Sequence, residues 1–560
     1  MPSLKSPVFK ALIPTVLSFL VLRGVFWLHT FPNPDESYYW LWGQHPDFSY
    51  YDHPPFQAWV QGIATTVFGQ SFLVLRLPNL LSNGVLFYTY YQIANYLYGK
   101  NGVVYWGIAI ALLLASPLYF LFLALAWPDH WLITFSLIAA FQLIQFLDGY
   151  TVDGRGESRR LYGAAIALGL ALLCKYNAVF VGMGCLAAVS SRPQWRSLFR
   201  DRRLYLAMLL TLTCLLPIVI WNMQNDFQSF RYYSDRSVDS GGFRLKLGET
   251  LGFIAFSIVM LSPVNGWAIG RVLWQGRSAT NRSVTNRSVT NGSATDGSVT
   301  DGSATNALFT YQRVACWIFI VSTLTLIIVS LVSTALYYWN ILAYLLLFPL
   351  LPSVFESRKE AARALGSKSA NDHQLPFAPT RPFAHPPTRL FFIGQWYGLL
   401  FALLLVIHYS VLPLSVFGSA DSDPDSRMLF GWDQVAVVVE RQVAMLNHPF
   451  ILTTDYRSAS ALAYQLYDST QHDPNQHDPT QPQLIVLAIS DRVDQFDFWL
   501  DATQLQGRDA IILADDWHPV LPLLTASFKQ VSSPETLAIK RFGRLVKNYY
   551  VLRGYSFGHS

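Results

Sequence analysis

"LYGAAIALGLALLCKYNAVFVGMGCLAAVSS", residues 161–191, is apolar over a length that can cross a bilayer, yet Lys175-Tyr176-Asn177 interrupts its middle. Both flanks are basic: "DGRGESRR" fills 153–160 and "SRPQWRSLFRDRR" fills 191–203. Cytoplasmic loops carry the excess of Lys and Arg. If both flanks are cytoplasmic, the run must enter and return as two short helices with "KYN" at the turn. An ammonium placed inside a membrane is costly and reads as functional.

Working outward, the 560-residue chain is 52% hydrophobic and 13% charged, against about 25% charged in soluble domains. A spanning helix takes roughly twenty apolar residues, and candidates fall near 11–30, 73–97, 102–122, 129–147, 204–222, 247–270, 313–333, 336–354 and 391–416. The expectation is a polytopic α-helical membrane protein with about 11 spanning or half-spanning helices. The N-terminal run lacks a small-x-small cleavage site and reads as a retained anchor with a cytoplasmic N-terminus. Lys100, the two basic flanks, 271–312 and 355–390 then share the cytoplasmic side. Residues 31–72, "AWPDH", "KYN", 223–246, the turn near 334–338 and everything after 417 fall on the outer side. The net charge of +5 is spread thinly over loops, without the basic stripe that nucleic-acid binding requires. All four cysteines lie in apolar runs and pack as small hydrophobes.

Residues 278–306 repeat every five positions with small and polar side chains and read as a disordered cytoplasmic linker. The sequons at Asn281, Asn286 and Asn291 would then stay unmodified. After 416 the pattern changes: "PFILTTD", "PQLIVLAIS" and "DAIILADD" alternate with the helical "RSASALAYQLYD", predicting a small α/β domain. The division expected is a membrane domain over 1–416 and a soluble extracytoplasmic domain over 417–560. His472 and His477 sit in a repeated polar segment, which reads as a loop and only weakly as a metal site.

The outer side collects the residues with chemistry. "FPNPDESYYWLWGQHPDFSYYDHPPFQAW", 31–59, holds Asp35, Glu36, Asp47, Asp52, His45 and His53 among many aromatics. Asp35 and Glu36 follow Pro34 and fit the first turn of a helix, where a capping role and a catalytic one are both open. The prolines of "DHPP" fix the backbone beside Asp52 and His53. Asp129 follows Pro128 and is again a cap or a site group. Lys175 wants an anion, and Arg231, Arg236 and Arg244 add guanidinium groups suited to phosphate or to interfacial snorkelling. Carboxylates to accept a proton, cations for an anionic leaving group and aromatics for sugar faces point to transfer from a lipid phosphate.

"PDESYYW", "YYDHPPFQAWV", "FGQSFLVLRLPNLL", "PDHWL", "GLALLCKYNAVFVG" and "YYWNILAYLLLFPLLP" together resemble bacterial members of the dolichyl-phosphate-mannose protein mannosyltransferase superfamily, which includes the lipid A aminoarabinose transferases. The resemblance implies a GT-C fold and a glycosyltransferase using a polyprenyl-phosphate sugar donor at the extracytoplasmic face of the bacterial inner membrane. The acceptor would be a lipid, glycan or protein hydroxyl. It further implies Asp35 as catalytic base, with Glu36, Asp129, Lys175 and Tyr338 on the substrates; Asp52, His53 and Arg231 join the expected substrate contacts from the reading of the residues themselves. Lys175 and Tyr338 would hold the lipid phosphate, helped by Arg231, His53 or a divalent metal at Asp129 and Asp52. The first-loop Tyr and Trp would close over the sugar. The aminoarabinose enzymes carry Glu-Lys-Pro-Pro where this chain has Asp52-His53-Pro54-Pro55, so the resemblance carries over neither the identity of the sugar nor a Lys role for His53. A transporter or flippase of a lipid-linked sugar is the alternative, since intramembrane charge and broken helices also mark transport sites.

Overall fold

The computed structural model describes residues 7–237, 245–287, 299–355, 387–418, 423–471, 485–490, 492–499, 502–520 and 522–558. Two compact units result. One holds Met1–Leu22, Asn79–Ala124 and Pro128–Ala402; the other holds Arg23–Pro78, Leu125–Trp127 and Leu403–Ser560. In this grouping the loop of 31–72 falls with the C-terminal domain.

The first unit is helical. Among the described residues, five segments are long and apolar enough to cross a membrane, Leu12–His29, Phe72–Leu114, Asp129–Asp153, Asn306–Val332 and Arg389–Val411, and eight are if each bent helix pair is one span. The chain is a multi-pass membrane protein. The bent pairs explain where a plain hydropathy reading fails. Arg202–Cys214 and Leu216–Gln224 meet at 45°, Tyr337–Leu345 and Phe348–Phe355 at 50°, and Leu247–Leu261 and Pro263–Gln275 at 100°. Pro217, Pro349 and Pro263 stand at these breaks, each removing an N–H and crowding the preceding turn. At the sharpest, Ser262 also takes φ +80°, so 247–270 is not one straight span. The "KYN" break appears as expected, between helices Ser158–Cys174 and Val179–Ser190. The five-residue repeat is only partly described: flanking helices run to Arg287 and from Val299.

In the second unit, strands β1 (Phe450–Thr453), β2 (Val486–Ala488), β3 (Ala510–Asp515), β4 (Phe528–Val531), β5 (Glu535–Arg541) and β6 (Arg544–Phe557) form one sheet of order β2-β1-β3-β6-β4, with β5 also on β6. β1 pairs in parallel with β2 and β3, whereas β6 runs antiparallel to β3, β4 and β5. The three predicted strands are the parallel ones, and their continuous apolar runs reflect burial on both faces. Alternation sorts the faces. Phe450, Leu452, Ala510 and Ile512 join one cluster; Ile451, Ile511 and Leu513 join the other, with Trp432, Val435 and Val439. The first cluster also contains Tyr38, Trp40, Trp42 and Tyr50, so the loop of 31–72 covers one face of the C-terminal sheet. The candidate histidines 472 and 477 lie outside the described residues.

That loop is built on two helices, Pro34–Gln44 and Phe56–Phe68, which cross at glycines. A Cβ on Gly43 would stand 2.6 Å from the Gly62 nitrogen. Gly43→Ala should therefore force the helices apart, at about 1–3 kcal/mol as for other overpacked sites. Gly84→Ala, in a helix with nothing within 4 Å of the new Cβ, is the control. Thermal unfolding of the two purified variants should show a lower melting temperature for Gly43→Ala alone.

Candidate functional site

The second unit begins its site with a capping box. The Asn33 side chain accepts from the Asp35 N–H, while Glu36 accepts the Asn33 N–H at 2.8 Å. Glu36 is fully buried and also takes both Arg76 nitrogens, Nε at 3.1 Å and Nη2 at 2.7 Å, plus the Ala126 N–H at 2.7 Å. Arg76 donates further to the Trp27 and Thr30 carbonyls. Four donors saturate the Glu36 carboxylate, leaving no lone pair for a substrate. Its place is structural, in contrast to the substrate contact expected from sequence.

Successive helical residues point about 100° apart, so anchoring Glu36 inward turns Asp35 to another side. Asp35 is half-buried, and one oxygen accepts the Tyr456 hydroxyl at 3.3 Å. Among the described residues, no group donates to the second oxygen. Burial pushes the Asp35 carboxyl up to about 6; Asp425 and Asp52 add to the rise, while Arg457 and the Tyr456 hydrogen bond oppose it. Asp52 is buried, accepting from Tyr38 Oη at 3.0 Å and from Arg492 Nη2 at 2.6 Å. The Tyr38 hydroxyl in turn accepts the Gln495 N–H at 2.8 Å, and the Tyr51 N–H donates to Gln495 Oε1 at 2.8 Å. Burial also pushes the Asp494 carboxyl up to about 7. His53 packs its ring edgewise on Tyr39 at 5.7 Å.

These C-terminal partners follow the carboxyl ends of parallel strands. Tyr456 and Arg457 come after β1, and Arg492 and Asp494 after β2. His518 comes after β3, where it contacts Asp515 and Arg457. Open α/β sheets bind ligands at this edge. Here the edge grips Asp35 and Asp52. Arg457 is held by Asp455 and Asp425 at 2.8 and 2.7 Å, and Arg492 lies over the Tyr456 ring at 5.1 Å. None of Tyr456, Arg457, Arg492 and Asp494 was singled out from sequence. The signal available was their position just past predicted parallel strands.

The loop aromatics depart from expectation. Tyr38, Tyr39, Trp40, Trp42 and Tyr50 are buried, with Trp42 stacked on Tyr50 at 4.6 Å and Tyr38 on Phe496 at 6.1 Å. They form core rather than a sugar platform, because the loop has a sheet to cover.

In the helical unit, Lys175, Asp129 and Tyr338 come together. Lys175 leaves its helix in extended backbone, φ −162°, and its Nζ donates to both Asp129 oxygens at 3.1 and 3.0 Å. Asp129 starts the helix Asp129–Asp153, but that end has no side-chain cap, so its carboxylate serves the ion pair. The Tyr338 ring lies 5.1 Å from Nζ and stacks on Phe122 at 4.8 Å. A buried Asn340, bonded to Ser322, Thr323 and Tyr344, fixes the turn that carries Tyr338. Arg231 is exposed on the helix Gln228–Ser237; the Arg236 side chain and Arg244 lie outside the described residues. Among the described residues, no three His, Cys, Asp or Glu side chains are placed to hold a metal ion. Asp129 and Asp52 each face a cation instead, so they do not fit the metal role considered for them.

A multi-pass helical unit with an ion-paired lysine at a helix break, in one chain with an α/β domain, is an arrangement for which known proteins offer counterparts. More narrowly, residues 52–221 match the family described as dolichyl-phosphate-mannose-protein mannosyltransferase. Over 254 residues the chain is 28% identical to the lipid A galacturonosyltransferase RgtD of Rhizobium johnstonii, covering 44% of this chain and 50% of that protein. The chain thus spans about half the length of that curated relative. The crystal structure of ArnT from Cupriavidus metallidurans in the apo state is 14% identical, with a TM-score of 0.57 and 98% of both chains covered. ArnT bound to undecaprenyl phosphate gives 13%, 0.56 and the same coverage. At these identities the likeness is one of fold.

If Arg76 and Glu36 support the loop as described, Arg76→Met should leave a buried carboxylate uncompensated, at about 3–5 kcal/mol. The melting temperature should fall clearly, and the double variant Arg76→Met with Glu36→Gln should recover part of the loss.

Proposed function

We propose that this protein transfers a sugar from a polyprenyl-phosphate donor to a hydroxyl of a lipid acceptor at the extracytoplasmic face of a bacterial inner membrane. The observation that carries the reading is Asp35. It is a half-buried carboxylate aimed by its saturated neighbour, with a pKa raised toward neutrality and one oxygen open to accept a proton. The likeness to RgtD, a lipid A galacturonosyltransferase by name, supports a lipid A-type acceptor, and the undecaprenyl phosphate bound to ArnT supports a polyprenyl carrier.

In the proposed reaction the acceptor oxygen attacks the anomeric carbon while its proton passes to Asp35. The bond from that carbon to the phosphate oxygen breaks, its electron pair leaves with the polyprenyl phosphate, and configuration inverts. General-base help of this kind is worth roughly 10²- to 10⁴-fold. In the helical unit, Lys175 is the candidate ligand of the donor phosphate. Two of its three N–H donors go to Asp129, so it carries charge together with a fixed direction, and Tyr338 lines its other side.

Asp35→Asn should lower transfer from a radiolabelled polyprenyl-phosphate sugar at least a hundredfold with normal membrane insertion; wild-type rates would remove Asp35 from the mechanism. The base works ionised, so the wild-type rate should fall as pH drops through about 6. Asp425 is an exposed neighbour that raises this pKa. Asp425→Asn should therefore shift the midpoint of the pH–rate profile downward.

A further inference from the structure

A cavity of about 480 Å³ in the second unit opens where two candidate spans end: His29 closes the span Leu12–His29, and Tyr409 and Ser410 belong to the last turns of Arg389–Val411. Its lining thus includes the ends of both candidate spans. None of Asp35, Glu36, Asp52 or Tyr456 lines it.

Four rings make its floor. Phe31 stacks on Trp432 at 6.2 Å and meets Phe72 and Tyr464 edgewise at 6.0 and 5.9 Å, and Phe72 stacks on Tyr464 at 6.3 Å. One wall is rigid backbone. Gly431 takes φ +88° against Ile539, whose Cδ1 would stand 2.6 Å from any Cβ there. The rim is polar and mixed in sign, with Asp433 and Arg541 exposed and the amide of Gln70 fixed by donating to the Tyr464 carbonyl at 2.8 Å.

The chemistry of this lining selects its occupant. A bare lipid phosphate would meet a carboxylate on the same rim as the guanidinium and gain nothing from an aromatic floor. A saccharide uses all of it: ring C–H faces lie on aromatic rings, while hydroxyls donate to the carboxylate and accept from guanidinium and amide. The volume falls within the roughly 300–1,000 Å³ of small-molecule sites. We propose that this cavity binds the saccharide headgroup of a membrane glycolipid and so seats the lipid acceptor. Its role as the acceptor's seat rests on the transfer reading above; the binding itself does not.

The test is direct binding of lipid A to the full chain in phosphatidylcholine nanodiscs, read by native mass spectrometry and by tryptophan fluorescence. Asp433→Ala and Arg541→Ala, both at exposed rim positions, should each weaken binding at least tenfold, while Gly84→Ala binds as wild type. Phosphatidylglycerol should not compete. Unchanged affinity in both rim variants would overturn the proposal, as would equal competition by phosphatidylglycerol, which would make the cavity a charge site rather than a saccharide site. Rim-dependent binding with full transfer by Asp35→Asn would sustain the pocket while removing the assigned base.

Discussion

The candidate base depends on a charge that takes no part in the proposed chemistry. Glu36 lies beyond the reach of water, and its four hydrogen bonds tie the start of the helix Pro34–Gln44 to Arg76 and to the backbone at Asn33 and Ala126. Breaking up a buried pair of this kind is far more damaging than its net contribution would suggest, since either partner alone is an uncompensated charge. Fixing Glu36 fixes the rotation of its helix, and hence the direction of Asp35. An acid pair that looks like two equivalent carboxylates is thus one anchor and one exposed oxygen.

The C-terminal sheet supplies the other constraint. Its parallel strands are apolar on both faces, so one face needs a cover, and the aromatic-rich loop of 34–58 provides it. The edge where the parallel strands end then lies against the acids of that loop. Tyr456 and Arg492 are short steps beyond β1 and β2, and each meets one carboxylate. The sheet thereby gives Asp35 a dry, tyrosine-held setting that a solvated helix cap would lack.

Much of this architecture was legible from local pattern. Hydropathy and basic flanks located the helical segments and the break at Lys175, and alternation located the three parallel strands. Prolines at 217, 263 and 349 turned single expected spans into bent pairs, which an average over twenty residues smooths away. The antiparallel half, β4 to β6, escaped notice because its exposed strands carry charges in place of apolar runs. In the candidate site, Asp129, Lys175 and Tyr338 were named from sequence and meet in the fold. The partners of Asp35 and Asp52 were not, for pairing between distant residues leaves no trace in either neighbourhood. The same holds for the aromatics: composition shows that a loop is rich in rings, but not whether it faces a ligand or a sheet.

The distance along the chain between these partners has a bearing on biosynthesis. Tyr51 and Asp52 bond to residues 444 and 440 positions later, and Asp35 to one 421 positions later. Ribosomes add about 5–20 residues per second, so the first loop is synthesised tens of seconds before the groups that complete it. During that interval its rings and acids have no sheet to pack on. The Asp35 environment is consequently completed only once Tyr456 has been made, and a chain cut short before it lacks that hydrogen bond.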